Sequence, residues 1–423
     1  MVKQNTKRLY YLEVLWLFAF TSGLTFVLQD VEILRENPIQ LSIIHKNISH
    51  LILGLFVSIQ ILKKPSAIFK NFILIFTLFS IWCAFSSLWS IYPIWTLYRS
   101  IEYFIFVCLV TYTAFSLKNY IELKKLVGFI WLLIGLLVIS AWVGMLIFPE
   151  QAMRPSKGLI PFILHGALPR LNANSVSHIG GVISIIGLNR ILGGDKKKKI
   201  SLISLILFGV ATMILAQGRS GMLAFIISAI FLLFFHRRIS LLFTITSIIL
   251  IFIVYTEIEF VFYEFILRGQ KPEVIWDLSG RIYKWGIAAM FISEKPFLGY
   301  GAFAGSRFLV MPEITGTLSS STHSAWVELA VDVGFVGALL YAIGILLIVI
   351  NLLKFISKYK NNEAYYFLIE MLCILILLIV RSIFSTAVLI TPYDFSFLAV
   401  LTATIWFRRT ERICHIHPNM KET

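Results

Sequence analysis

Apolar runs of membrane-spanning length follow one another along nearly the whole chain, and short basic turns separate them. This leaves few folds open. About 20 apolar residues cross the hydrocarbon core as a helix, and a helix satisfies its own backbone hydrogen bonds there. Of the 423 residues, 58% are hydrophobic and 14% charged, with a mean hydropathy of +0.86. The expectation is an all-α integral membrane protein, one polytopic domain over 1–423. About twelve transmembrane helices are predicted, at roughly 9–29, 41–62, 71–89, 97–117, 126–148, 173–192, 200–216, 220–235, 239–256, 325–350, 364–388 and 395–407. The first run carries no small-residue cleavage site and reads as a retained span. The four cysteines show no pairing pattern, so neither a disulfide framework nor a metal cluster is expected.

The net charge of +15 raises the question of nucleic acid, but its distribution answers to topology. With both termini cytoplasmic and the sides alternating, 23 of the 37 basic residues fall on the cytoplasmic side, mostly in short loops. The Lys196–Lys199 run belongs to this set and reads as a topological anchor. No nucleic-acid partner is expected.

Two segments stand out on the other face. In 149–172, Pro149, Pro155, Pro161 and Pro169 break any helix. The second, 257–322, is too long for a plain connector. Its stretch Val274 to Ser293 has helical apolar spacing (Ile275, Leu278, Ile282, Trp285, Ile287, Met290). That spacing predicts an amphipathic helix on the membrane or on the bundle.

The basic residues of this outer face are mostly arginine, among them Arg154, Arg170, Arg219, Arg281 and Arg381. A guanidinium grips phosphate through two parallel hydrogen bonds, which an ammonium cannot do. An arginine cluster there points to a phosphate- or diphosphate-bearing ligand. Arg219 lies in Gln217-Gly218-Arg219-Ser220-Gly221, the whole turn between two spans. So tight a turn keeps its charge at membrane depth, where charges are costly and functional. Arg281 opens Arg281-Ile282-Tyr283-Lys284-Trp285 after Ser279-Gly280. Pro296-Phe297-Leu298-Gly299-Tyr300-Gly301 follows. Then come His323-Ser324, nine residues, and Gly334-Phe335-Val336-Gly337.

On these motifs the chain resembles the O-antigen ligase and polymerase superfamily of bacterial surface-polysaccharide enzymes. His323, Ser324, Gly334 and Gly337 fill the ligase pattern of that family. Ser279–Trp285 and Pro296–Gly301 match it in the same order, as does an arginine in the turn before the long loop. Leu88–Pro93 and Leu171–Asn174 are similar to it too. The resemblance implies a membrane glycosyltransferase without cofactor or metal. Such an enzyme moves a glycan from undecaprenyl diphosphate to an acceptor sugar hydroxyl at the periplasmic face of the inner membrane. Ligases use lipid A–core as acceptor, and polymerases use another lipid-linked repeat. The histidine motif leans toward a ligase, and the Trp89–Pro93 stretch pulls toward exopolysaccharide polymerases. By position, His323 matches the catalytic histidine and Arg219 and Arg281 the diphosphate-binding arginines.

Residue chemistry runs the same way. A lipid diphosphate is a good leaving group if its growing charge is held, and two arginines supply that. An acceptor hydroxyl needs a base, and imidazole with an unperturbed pKa of about 6.5 suits neutral pH. Further candidates for substrate contact are Arg154, Arg170, Asn172, Asn174, Tyr300 and Asp394, the last at the outer end of the final span. His165 and His178 flank the asparagines. Twelve spans also fit a lipid-oligosaccharide transporter or flippase. Transporters, however, show related halves with polar groups in both, and here those groups gather on one face and in one loop.

Overall fold

The computed structural model describes residues 2–26, 41–70, 72–194, 199–238, 240–241, 280–315, 322–360, 362–386 and 394–416, with scattered positions between 265 and 278. The protein is a helical bundle. In chain order its longer helices are α1 (Val2–Ser22), α2 (Leu41–Leu62), α3 (Ile73–Phe85), α4 (Pro93–Ser116) and α5 (Tyr120–Ile147). There follow α6 (Ala173–Leu192), α7 (Lys199–Ala216), α8 (Arg219–Phe235), α9 (Arg281–Glu294), α10 (Ala325–Lys358), α11 (Ala364–Ser382) and α12 (Phe395–Ile416). Among the described residues, six of these (α4, α5, α6, α7, α10 and α11) are long and apolar enough to cross a membrane, and α3 and α8 are shorter apolar helices. The chain is thus an all-α membrane protein. The predicted span at 239–256 lies almost wholly outside the described residues.

Local chemistry sets the helix ends. Asn119 caps α5 by accepting from the Glu122 N–H at 2.9 Å, and the Glu122 carboxylate accepts from the Lys118 N–H at 2.8 Å. This reciprocal pairing satisfies amides that the first turn leaves open. The C-terminus of α4 is closed by Arg409 of α12, whose Nη1 donates to the carbonyls of Ala114, Phe115 and Leu117 at 2.9–3.0 Å. Beside it, Glu411 pairs with Lys358 at 3.1 Å and Arg408 at 2.9 Å. These contacts gather the ends of α4, α10 and α12 at one end of the bundle.

Small residues let α6 and α7 approach closely, as membrane helices do. A Cβ on Gly180 would stand 2.7 Å from the Gly209 carbonyl oxygen. Many large apolar side chains, such as Leu146, Leu207 and Leu339, face outward. An exposed apolar surface of that extent belongs in lipid.

Two outer segments differ from expectation. The proline-broken segment folds as a small antiparallel hairpin, β1 (Met153–Pro155) against β2 (Phe162–Leu164). In the long loop, α9 begins only at Arg281. Leu278 and Gly280 take left-handed backbone angles (φ 49 and 79), which stop a helix from running through from 274. α9 buries Ile287 and Ala288 and leaves Ile282, Tyr283 and Met290 outward.

Candidate active site

The sequence motifs meet at a break in α10. Gly334 has φ 66 and ψ −177, a region open essentially to glycine alone. The break turns the carbonyls of three preceding residues away from the helix, and each finds an outside donor. Tyr300 N–H donates to Val331 O at 3.0 Å and Gly301 N–H to Asp332 O at 2.9 Å. The Trp82 indole donates to Val333 O at 3.0 Å. Phe335 N–H in turn donates to Pro296 O at 2.7 Å. The Pro296–Gly301 loop is therefore seated on the break in α10. The Leu88–Pro93 segment holds its other side, through Trp89 Nε1 to Leu298 O at 3.1 Å and Ile91 N–H to Tyr300 O at 3.2 Å. Gly334→Ala would place a methyl 2.2 Å from Phe297 O and add strain of about 1–3 kcal/mol. The variant is expected to melt several degrees lower in detergent with a lower yield; an unchanged melting curve would mean the seat carries no stability.

His323 stands just before the start of the same helix, α10. Trp285 of α9 donates its indole N–H to Thr322 O at 3.1 Å, which clamps the residue before the histidine. Glu328 accepts from the Thr322 N–H at 3.0 Å. Ser324 caps α10, accepting from the Val327 N–H at 3.5 Å, and Ala325 N–H donates to Ser385 O at 3.0 Å. Held from both sides, His323 adopts φ 61, a left-handed conformation uncommon outside glycine and frequent at functional sites. Burial, then the charges of Lys284 and Arg281, pull its pKa down to about 4. The unperturbed value of about 6.5 therefore does not carry over to His323, whose imidazole is neutral at neutral pH.

The arginines come from two directions. Gln217 takes a left-handed φ of 50 and donates Nε2 to Phe162 O at 2.7 Å, tying the turn to the hairpin. Gly218 lies so close to α6 that a Cβ would stand 2.3 Å from that of Ser177. Arg219 then projects from the start of α8, its Nη2 donating to Leu267 O at 3.3 Å and Gln270 Oε1 at 3.1 Å. Arg281 opens α9, donating Nη1 to Leu278 O at 3.0 Å, with its guanidinium 5.9 Å from the Phe384 ring centre. Burial and the charge of Arg219 hold the Arg281 guanidinium below its ordinary pKa. Lys284, one turn along α9, is lowered by burial and by Arg281. Arg219 thus lies within electrostatic reach of Arg281, and Arg281 and Lys284 lie within reach of His323.

The other candidates are placed as follows. Arg154 and Arg170 flank His165 on the hairpin segment, and burial followed by those two charges pulls its pKa to about 4. Asn172 caps α6, accepting from the Ser175 N–H at 2.8 Å, and Asn174 sits part-buried in the first turn. Tyr300 is buried against Ile287, Ala288 and Val331. Its hydroxyl donates to Glu294 at 2.6 Å, and burial with that carboxylate raises its pKa to about 12. Asp394 is buried and accepts from the Phe397 N–H at 3.1 Å, capping α12. Sequence reasoning gave no role to Lys284, Trp285 or Glu328. Their signal was only their place one turn from Arg281 or inside the first turn after His323.

The fold is thus a helical bundle with membrane-length helices, in which cationic side chains stand near a strained histidine. Residues 203–342 match the family described as O-Antigen ligase, in line with the O-antigen ligase/polymerase superfamily that the motifs resemble. The match spans α7 through the first half of α10 and includes Arg219, Arg281, His323, Gly334 and Gly337. No curated protein matches the chain.

Proposed function

We propose that the protein transfers a glycan from undecaprenyl diphosphate to an acceptor sugar hydroxyl at the periplasmic face of the bacterial inner membrane, as an O-antigen ligase with lipid A–core as acceptor. The observation that carries this reading is the gathering of cations toward His323. Arg219 at the start of α8 acts on Arg281 at the start of α9. Arg281 and Lys284 act on His323, whose neighbour Thr322 is clamped by Trp285 of α9. Arg219 and Arg281 hold the diphosphate. Neutral His323 takes the proton of the acceptor hydroxyl as its oxygen bonds to the anomeric carbon. The bond from that carbon to the diphosphate oxygen breaks, and its electron pair leaves on the lipid diphosphate, whose charge becomes more negative by one. Fixed cations aimed at charge that grows during the reaction stabilise the transition state more than the ground state.

A deletion strain analysed on a silver-stained lipopolysaccharide gel tests the acceptor. Loss of a ligase leaves bare core and accumulated lipid-linked polymer. Loss of a polymerase leaves core bearing one repeat, and that pattern would reassign the acceptor to a lipid-linked repeat. The Leu88–Pro93 stretch, which pulls toward the polymerase by resemblance, bonds the Pro296–Gly301 loop through Trp89 and Ile91.

A further inference from the structure

Behind the pocket lies a buried polar group that the reaction as described does not use. Arg381, at the end of α11, is 8% exposed, and His178, in the second turn of α6, is 6% exposed. Arg381 Nε and His178 Nδ1 have no hydrogen-bond partner among the described residues. The two lie within electrostatic reach of each other, with Asp394 as the opposing charge near Arg381. A guanidinium at membrane depth with an unmet N–H is expensive to keep, and the charge of Asp394 offsets that cost without meeting the Arg381 Nε–H.

The position is equally pointed. Ser177, the neighbour of His178, donates its hydroxyl to Gly218 O at 3.2 Å in the turn that bears Arg219. Phe384, one turn beyond Arg381, lies under the Arg281 guanidinium, and Ser385 O accepts from Ala325, two residues after His323. Trp326 Nε1 donates to the Ser382 hydroxyl at 2.9 Å. The Arg381 end of α11 is thus packed directly behind the walls that carry all three proposed reacting groups.

We propose that Arg381, with His178 beside it, binds the phosphate nearest the prenyl chain and so forms the inner end of the donor site. The inference rests on the lipid-diphosphate reading above and divides the labour within it. Arg381 and His178 hold the ester phosphate at the lipid end, and Arg219 and Arg281 hold the phosphate that leaves with the glycosidic oxygen. A fork of Nε–H and Nη–H matches two oxygens of one phosphate.

The test uses the full-length protein in detergent and measures binding by thermal shift. The probes are a polyprenyl diphosphate, a polyprenyl monophosphate, phosphatidylglycerol and inorganic pyrophosphate. The monophosphate carries only the phosphate assigned to Arg381. Arg381→Gln is expected to weaken it by about 10- to 100-fold, the loss of hydrogen bonds to a charged partner, while Arg281→Lys leaves its affinity within twofold of the parent (roughly the scatter of such measurements). Both variants weaken the diphosphate. If Arg381→Gln does not fold, Arg381→Lys keeps a charge toward Asp394 but loses the fork, and the same loss is expected. Equal monophosphate affinity in parent and variant overturns the inference and leaves the diphosphate reading standing. Arg381-dependent binding of phosphatidylglycerol as strong as that of the monophosphate also overturns it, in favour of an ordinary lipid headgroup. A parent protein that responds to neither prenyl probe removes the donor reading and this inference together.

Discussion

His323→Ala is expected to give a folded protein that still binds the lipid-linked donor and transfers glycan about 10²- to 10⁴-fold more slowly, the usual contribution of a general base. Donor binding survives because the guanidiniums of Arg219 and Arg281 are positioned without the histidine. Arg281 is set by the start of α9 and by Leu278 O, and Arg219 by Leu267 O and Gln270. The loop also survives, since Trp285 and Glu328 hold Thr322 and Ser324 holds α10 through atoms other than the imidazole. Wild-type turnover by His323→Ala in a purified assay would remove it from the mechanism.

The pH profile gives a second, independent reading of the same group. The base works as the neutral imidazole, so activity is lost as pH falls through its pKa. In the donor-free enzyme that pKa is about 4, lowered by burial, then by Lys284 and Arg281. Because kcat/KM reports the free enzyme, it should hold its value well below pH 6 and fall only near pH 4 to 5. A bound diphosphate offsets the two cations and raises the pKa, so the acid limb of kcat should lie at higher pH than that of kcat/KM. Lys284→Met, by removing one cation, should move the kcat/KM limb upward. A limb fixed at about pH 6.5, the unperturbed value, in both parameters and both proteins would mean that the group titrating is not this buried histidine.

The helices were legible because burial in lipid has one simple signature. Each apolar run between basic turns reappears as a helix wherever the residues are described. Gly334 and the Pro296–Gly301 run were visible as motifs, but their reason was not. It is a set of backbone pairings between a broken helix and a loop more than 30 positions away, and backbone atoms leave no residue-type signal. Asn172 and Tyr300 drew attention as substrate contacts. The structure gives the first a helix to cap and the second a core to fill. The start of α9 was misjudged because apolar spacing ran on past Leu278 and Gly280, whose backbone angles outweigh it. Lys284 was given no role, and Arg381 stood only as one of several outer-face arginines, for the opposite reason. Their meaning comes from partners in other elements, His323 for one and His178 for the other.

Arg219 and Arg281 offer the sharper test of the donor, because replacing each by lysine keeps the charge and removes only the fork. Each guanidinium already spends one edge on protein acceptors, Leu267 O and Gln270 for Arg219 and Leu278 O for Arg281. That fixes the plane in which the remaining N–H groups meet a phosphate. An ammonium has no plane to fix, and at Arg281 it also gives up the face laid on Phe384. Arg219→Lys and Arg281→Lys are each expected to lose most transfer activity, approaching the roughly 10²- to 10³-fold cost of removing a transition-state donor. The double variant should lose less than the product of the two single losses, because both side chains are proposed to hold one diphosphate and the second loss acts on a group already poorly held. Measured kcat/KM values for the parent, both single variants and the double close the cycle. Independent losses that simply multiply would mean that the two arginines serve different groups, and near-normal transfer by both lysine variants would end the diphosphate role for this pair.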